Sequence, residues 1–532
     1  MRLPSCIPGI CLVAALAAAP ITVAAQGHDH VAMQALGTVS FSTSCAPAVA
    51  ARFDTAVALM HSFQFGRAIA EFNAILQQDP KCVMAYWGIA LSNWGNPFAG
   101  FKTPAQLARG ADAVRRARAT GAGTTRERGY VDAVAQLYVE DPKVLQPARM
   151  EAYQAAMASV AAANPGDDEA RIFYALALAA SADPADKSYA RQLQAGALLE
   201  PLFARFPNHP GLAHYIIHAY DEPALASRAA EAARRYGAIA PATPHALHMP
   251  SHTFTRVGDW QASIDTNRAS AAAARAANQP ADVLHASDYM VYAFLQTGQD
   301  RAAAALVKAS AEVFRGFDPA NVTGAAPASA AFYAHAAIPA RYALERHAWA
   351  EAARLEPVGG PFANASAITA FAQGLGAAHA GDRSTAAGSV AALARFRDQL
   401  LAAHDEYWAG QVEIQRQEVA AMLARASGDT AGAIAGMRAA AVLEDKTELA
   451  SVTPGPFLPA REMLGELLLA SDKRSEALAE FRASLEREPN RYWSLHGAAR
   501  AATLAGQPAV ARSYEAKLHR MTLKGDRALQ AD

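Results

Sequence analysis

FQFGRAIAEFNAILQQDP, residues 63–80, has a counterpart near the far end of the chain in KRSEALAEFRASLEREP, residues 473–489. Both place an alanine, a large aliphatic residue and a phenylalanine at the same intervals, and both end on an acidic residue followed by proline: Ala68, Ile69, Phe72 and Pro80 in one, Ala477, Leu478, Phe481 and Pro489 in the other. Alanine and phenylalanine four apart share one face of a helix, and proline marks where that helix stops. AYWGIALSNWG (85–95) follows the first stretch and AREMLGELLLA (460–470) precedes the second. Both carry glycine or alanine at helical spacing, as two closely approaching helices require. A unit that recurs is one that cannot bury its apolar face alone and must stack on its neighbours.

These stretches resemble the tetratricopeptide repeat, a helix–turn–helix unit of about 34 residues. More divergent copies surround TRVGDWQASI (255–264), LQTGQDRAAAAL (295–306), HAGDRSTAAGSV (379–390), RASGDTAGAIAGM (425–437) and TLAGQPAVARSY (503–514), each with a glycine between two apolar helical patterns. The resemblance implies an all-α, right-handed superhelical solenoid of about ten to twelve helix pairs, running from residue 46 to residue 522. We divide it into N-terminal repeats (46–210), central histidine-rich repeats (211–345) and C-terminal repeats (346–522), with tails at 26–45 and 523–532. Insertions interrupt the pattern at 95–104, 316–326 and 445–457. AYWGIALSNWGNPF, HYIIHAYDEP, HALHMPSH, SDYMVYAFLQTG and VTPGPFLPARE also make the whole chain look like a class of exported bacterial tetratricopeptide-repeat proteins.

Composition agrees with helices in close contact. The 532 residues are 52% hydrophobic, much of it alanine, the best helix former. Lys and Arg number 48 against 49 Asp and Glu, and no basic stripe interleaved with aromatics occurs, which argues against nucleic acid as a partner. Residues 1–25 read as a secretory signal peptide, an arginine followed by an apolar run too short for a membrane span and by small residues at Val23–Ala25. The expectation is a periplasmic or secreted protein without an integral membrane segment. Two of the four cysteines lie within that leader. Cys45 and Cys82 remain and are expected to pair in an oxidising compartment.

PHALHMPSH (244–252) sets the functional question by placing three histidines in nine residues. Counted back from the turn glycines Gly258 and Gly298, His245, His248 and His252 occupy the same places as His285, Asp288 and Tyr292. In the repeat family, that stripe of the first helix lines the concave surface where ligands sit. One repeat earlier, HYIIHAYDEP supplies His214, Tyr215, His218 and Asp221, and His214 and His218 precede His248 and His252 by one repeat length. The register therefore predicts a square of His214, His218, His248 and His252, with His285 and Asp288 beside it.

Histidines at i and i+4 can both reach one ion, so the candidate metal ligands are His214, His218, His248, His252 and Asp221. Neutral imidazoles suit zinc, copper, iron or nickel. His245, His285, Asp288, Tyr289, Tyr292 and Tyr215 are candidate groove-lining residues. Arg461, in the 445–457 insertion's flank, and Arg341, with His335 on the helix after 316–326, are candidate anion partners. GHDH at 27–30 could hold copper or nickel loosely as a processed terminus.

No G-x-S-x-G elbow, phosphate-binding P-loop, HExxH or C-x-x-C pair is present. The favoured function is a binding protein whose groove, rich in His, Tyr and Asp, takes a metal, a small molecule or a peptide. Two alternatives stand beside it: a metal-dependent hydrolase or oxidoreductase built on the histidines, and a protein–protein scaffold in which they are structural. Whether the chain is an enzyme is left open.

Overall fold

The computed structural model describes residues 35–141 and 143–527. The signal-peptide reading and the GHDH tail lie outside the described residues. From Pro47 to Met521 the chain is a succession of helices, most of them paired antiparallel with the next. No helix among the described residues is long and apolar enough to cross a membrane.

The two stretches that set the repeat behave alike. Phe72 and Phe481 are fully buried, and each is received by a glycine on the following helix. A Cβ at Gly88 would lie 2.2 Å from the Phe72 ring, and one at Gly497 would lie 2.3 Å from that of Phe481. Turns between helices use a shared chemistry. Gly258, Gly381 and Gly428 adopt positive φ, and the aspartate that follows each one caps the next helix: Asp259 accepts from Ala262 N, Asp382 from Thr385 N, and Asp429 from Gly432 N.

Three apolar clusters run along the chain. The first joins Leu36 to Met249, the second Trp260 to Ile338, and the third Tyr333 to Ala511. Residues read as an N-terminal tail contribute to the first. Phe41 packs edge-on against Phe53 and Trp87, and Thr38 N donates to Asn208 O at 2.9 Å. Cys45 and Cys82 are joined by a disulfide, S–S 2.07 Å, which ties that segment to the start of the helix Val83–Trp94.

The solenoid closes on itself. Its C-terminal repeats fold back across the central ones: Trp260 Nε1 donates to Asn490 O at 2.8 Å, and Tyr492 N donates to Gln296 Oε1 at 2.9 Å. Fully buried Arg491 sits between Glu345 (2.8 Å) and Glu462 (2.8 Å) and reaches Tyr292 Oη at 3.1 Å. The turn at Gly258 presses so closely on Pro489 that a Cβ there would lie 2.3 Å from the Pro489 carbonyl oxygen. The 523–527 tail joins the same contact, with Asp526 N donating to Gly298 O at 2.8 Å and Arg527 pairing with Asp300 at 2.7 Å.

The 445–457 insertion lies inside this closure. Tyr289 Oη donates to Ser451 O (2.9 Å), Arg256 to Pro454 O (3.3 Å), and Arg341 to both Thr453 Oγ1 (2.8 Å) and Pro456 O (3.2 Å). The face that the repeat register turns inward is therefore covered, and its side chains are buried, His285 partly so, rather than exposed in an open groove.

Candidate metal centre

Three successive first helices carry the histidines, and each begins on a proline, whose missing N–H costs nothing at a helix start. Pro210–Ala219 bears His214, Tyr215 and His218 and is capped by His209, whose Nδ1 accepts from Leu212 N. Pro244–His248 and Pro250–Arg256 form one helix interrupted at Pro250, and it bears His245, His248 and His252. Pro280–Gln296 bears His285, Asp288, Tyr289 and Tyr292. In the first two, histidines stand four and eight places after the initiating proline, which puts them on one face.

Two groups of three histidines result. The ligand nitrogens of His214, His218 and His245 all lie within 4.8 Å of one another, and so do those of His248, His252 and His285. An ion bonded to imidazole at about 2.0–2.1 Å in tetrahedral geometry sets nitrogen–nitrogen separations of about 3.4 Å, inside that bound. Across the two groups, His218 stands 6.2 Å from His252 and His245 stands 6.2 Å from His248, ring centre to ring centre. That is the range of aromatic pairs in direct contact, so the groups are immediate neighbours.

Hydrogen bonds fix which ring nitrogen is free on His214, His248 and His252. His248 Nδ1 meets Asn267 Oδ1 at 2.6 Å, and the Asn267 amide is oriented by its own donation to Ser263 O at 2.8 Å. His252 Nδ1 meets Asp221 Oδ2 at 2.8 Å. A carbonyl-type oxygen and an ionised carboxylate only accept, so both rings carry their proton on Nδ1. Both Nε2 atoms therefore present lone pairs, and they face each other at 3.0 Å. Two acceptors at that distance repel unless a cation lies between them. A proton bridges only two nitrogens, whereas His285 offers a third.

In the first group, His214 Nδ1 donates to the His61 carbonyl at 2.6 Å, leaving its Nε2 facing His245 Nε2 at 3.0 Å. Neither ring nitrogen of His218 has a hydrogen-bonding partner among the described residues. Its ring is stacked on Phe98 at 4.0 Å and on Phe63 at 5.8 Å. Burial lowers the histidines' affinity for protons: His214 and His285 fall to about 3, and His218, His245 and His248 fall well below the usual imidazole range. These five rings are neutral at physiological pH, the form in which imidazole binds a metal.

Regrouping corrects the predicted square. His245 and His285, expected to line a groove, complete the two groups, and the four expected ligands divide between them. Asp221 lies outside both groups. Its oxygens are taken by His252 Nδ1 and by Arg256 Nε (3.1 Å), the arrangement that orients a ligating imidazole. Asp288 is held by buried Arg341 at 2.9 Å, so neither is free for an anionic ligand. Tyr289 packs against His248 (4.9 Å) and His252 (5.0 Å), while Tyr292 is turned toward Arg491. Arg461 is away from the site, paired with Asp445 and Glu480. His335 lies flat on Phe314 at 3.8 Å.

Two other clusters among the described residues have metal-type composition and are otherwise explained. Cys45, Asp79 and Cys82 contain the disulfide. His61, Glu169 and His209 form a satisfied network. His209 uses Nδ1 as a helix cap, so its Nε2–H donates to Glu169 at 2.9 Å, and His61 Nε2 donates to the same carboxylate at 3.0 Å. His61 Nδ1 meets Tyr215 Oη at 2.9 Å, which places Tyr215 in this support rather than in a groove. Glu169 is held below the ordinary carboxylate range by its two histidine partners, against the opposing effect of burial. The network anchors the His61 carbonyl on which His214 rests.

No protein-family model and no curated protein matches the chain. Among solved structures it is similar to the human IFIT1 dimer with m7Gppp-AAAA, at 11% identity and TM-score 0.36 over 82% of this chain and 90% of that one. It is also similar to Naa15/Naa10 bound to HypK-THB (12%, TM-score 0.24, 88% and 70%). A third likeness is to the P58(IPK) TPR domain (12%, TM-score 0.23, 86% and 98%). At these scores no ligand or partner passes from those proteins to this one.

Proposed function

We propose that this protein is an exported metalloprotein that holds transition-metal ions in its central repeats, one in each three-histidine group. The observation that carries the reading is the facing pair of Nε2 lone pairs on His248 and His252, 3.0 Å apart in a buried site, with both Nδ1 protons already committed to Asn267 and Asp221. Buried polar atoms are almost always partnered, and six imidazoles converging with so many free nitrogens ask for a cation. His214, His218 and His245 would hold one ion, and His248, His252 and His285 the other. Asp221, Asn267 and the His61 carbonyl would fix the tautomers.

The test is elemental mass spectrometry on signal-processed protein purified without a histidine tag. We expect two equivalents of a transition metal per chain, falling to about one in His214→Ala and in His248→Ala. Absence of bound metal after supplementation with zinc, copper, iron and nickel would refute the reading. N-terminal sequencing of protein recovered from the periplasm checks the export proposal, with a new terminus at Gln26 expected.

A further inference from the structure

The donor set at this centre has an unusual charge. The six candidate ligands in two adjoining groups are all imidazoles, which bind a metal as neutral donors, and no carboxylate or thiolate is among them. The two carboxylates on the same helical faces are already neutralised, Asp221 by Arg256 and Asp288 by Arg341. The surroundings are apolar and buried: Phe63 packs against His214, His218 and His245, and Phe98 covers His218. Uncompensated charge in such a place is strongly disfavoured.

Two divalent ions would bring four positive charges to a donor set that supplies no negative one. Two monovalent ions bring only two. Of the metals that imidazole binds well, copper alone has an accessible and stable monovalent state. Zinc, iron or nickel on three neutral imidazoles would keep its two positive charges uncompensated unless an anion such as hydroxide joined it, and this centre supplies no anion of its own. If the pair is oxidised, charge balance then requires an anionic ligand that enters with the oxidation. Dioxygen meets that requirement. Each Cu(I) gives up one electron, and dioxygen takes both to become a peroxide dianion with its O–O bond retained. No proton is needed, and the total charge of metals plus bridge is +2 before and after. The two groups touch, with 6.2 Å between ring centres at two places, so ions held by them would be neighbours with room between them for a small shared ligand.

From this we infer that the two three-histidine groups form a dinuclear copper centre that binds dioxygen between its metals. The inference rests on the metal-binding reading above and goes further by naming the metal, its valence and its small-molecule ligand.

The experiment loads metal-free protein anaerobically with Cu(I), measures bound copper, and then admits air. Expected are two copper ions per chain, uptake of one dioxygen per two coppers, an intense near-ultraviolet charge-transfer band, and little or no electron paramagnetic resonance signal, because the two Cu(II) spins couple through the bridge. His285→Ala and His218→Phe should each keep one copper, lose dioxygen uptake and show an ordinary Cu(II) signal after oxidation. Two bound coppers that oxidise to a full, uncoupled two-spin signal, or that take up no dioxygen, would overturn this inference while leaving the metal-binding reading standing. Failure to bind copper, with two equivalents of another metal bound instead, would overturn it equally. Failure to bind any metal would end both.

Discussion

His218→Phe should make the metal-free protein more stable and the metal-loaded protein less so. Among the described residues neither ring nitrogen of His218 has a hydrogen-bonding partner, and the ring lies between Phe98 at 4.0 Å and Phe63 at 5.8 Å, so a phenyl group keeps the stacking and removes two unsatisfied polar atoms. Each unsatisfied buried group costs about 1–3 kcal/mol, so the substitution recovers about 2–6 kcal/mol. Fitting the larger ring into a packed site costs about 1–3 kcal/mol. The net gain is about 2 kcal/mol without metal. A bound ion stabilises the folded state by about 2.7 kcal/mol at one hundred times its dissociation constant and by about 4.1 kcal/mol at one thousand times. The variant forgoes one such contribution, so the stability order should reverse as metal is added, passing through equality near the lower concentration. Urea unfolding in excess chelator, repeated across a metal titration, reads both limbs. A variant less stable than wild type in chelator would show that those nitrogens are satisfied, and the reasoning would fall.

Asp221→Asn keeps the shape beside His252 but weakens the acceptor, and should lower metal affinity of the second group about 10–100-fold without changing the first, as read by competition with a chromophoric chelator. Replacing both Cys45 and Cys82 with serine opens a loop of 37 residues and should cost about 4 kcal/mol in chemical unfolding; a cost under about 1 kcal/mol would contradict the tie it makes. Arg491→Met strands buried Glu345 and Glu462 and should cost about 3–5 kcal/mol, loosening the C-terminal repeats first in hydrogen exchange. Burial pushes Asp282 up to about 7 from 3.8, even though Ala325 N and Ala326 N donate to it. Because the folded value is the raised one, its stabilising contribution is complete below about pH 4 and is lost as pH rises through 7. Asp282→Asn should match wild type at pH 4 and exceed it by up to ~4 kcal/mol at pH 8, and a variant with the wild-type pH slope would refute the assignment.

The fold was legible because its unit repeats. Phe72 and Phe481 sit in equivalent pockets made by Gly88 and Gly497, and the glycine–aspartate turns mark where one helix ends and the next begins. The repeat length also placed the histidine-bearing helices side by side. It mispaired the side chains because neighbouring first helices are offset along their axes. The cross-repeat hydrogen bonds His214–His245 and Asp221–His252 both join residues 31 apart, so each ring meets a partner one turn away from its repeat equivalent. That shift sends His245 back to His214 and His218 and leaves His248 and His252 to His285. Asn267, which fixes the His248 tautomer from the second helix of the repeat, belongs to no pattern that the sequence displays. The closure of the solenoid was equally hidden, since it depends on single long-range contacts such as Trp260–Asn490 and Tyr292–Arg491 that have no periodicity.

Closure and site depend on each other. Six imidazoles with free nitrogens would be ordinary in an open groove, where water would satisfy them. Here the 445–457 insertion is drawn over them by Arg256, Arg341 and Tyr289, while Phe98 in the 95–104 insertion seals the other side. Both arginines are themselves buried and are neutralised by Asp221 and Asp288, the carboxylates nearest the histidines in sequence. One set of ion pairs thus holds the cover in place, removes negative charge from the donor set and, through Asp221, aims His252. A solenoid that stayed open could carry the same histidines in the same register. It would lack the buried surroundings that lower the proton affinity of His214, His218, His245, His248 and His285.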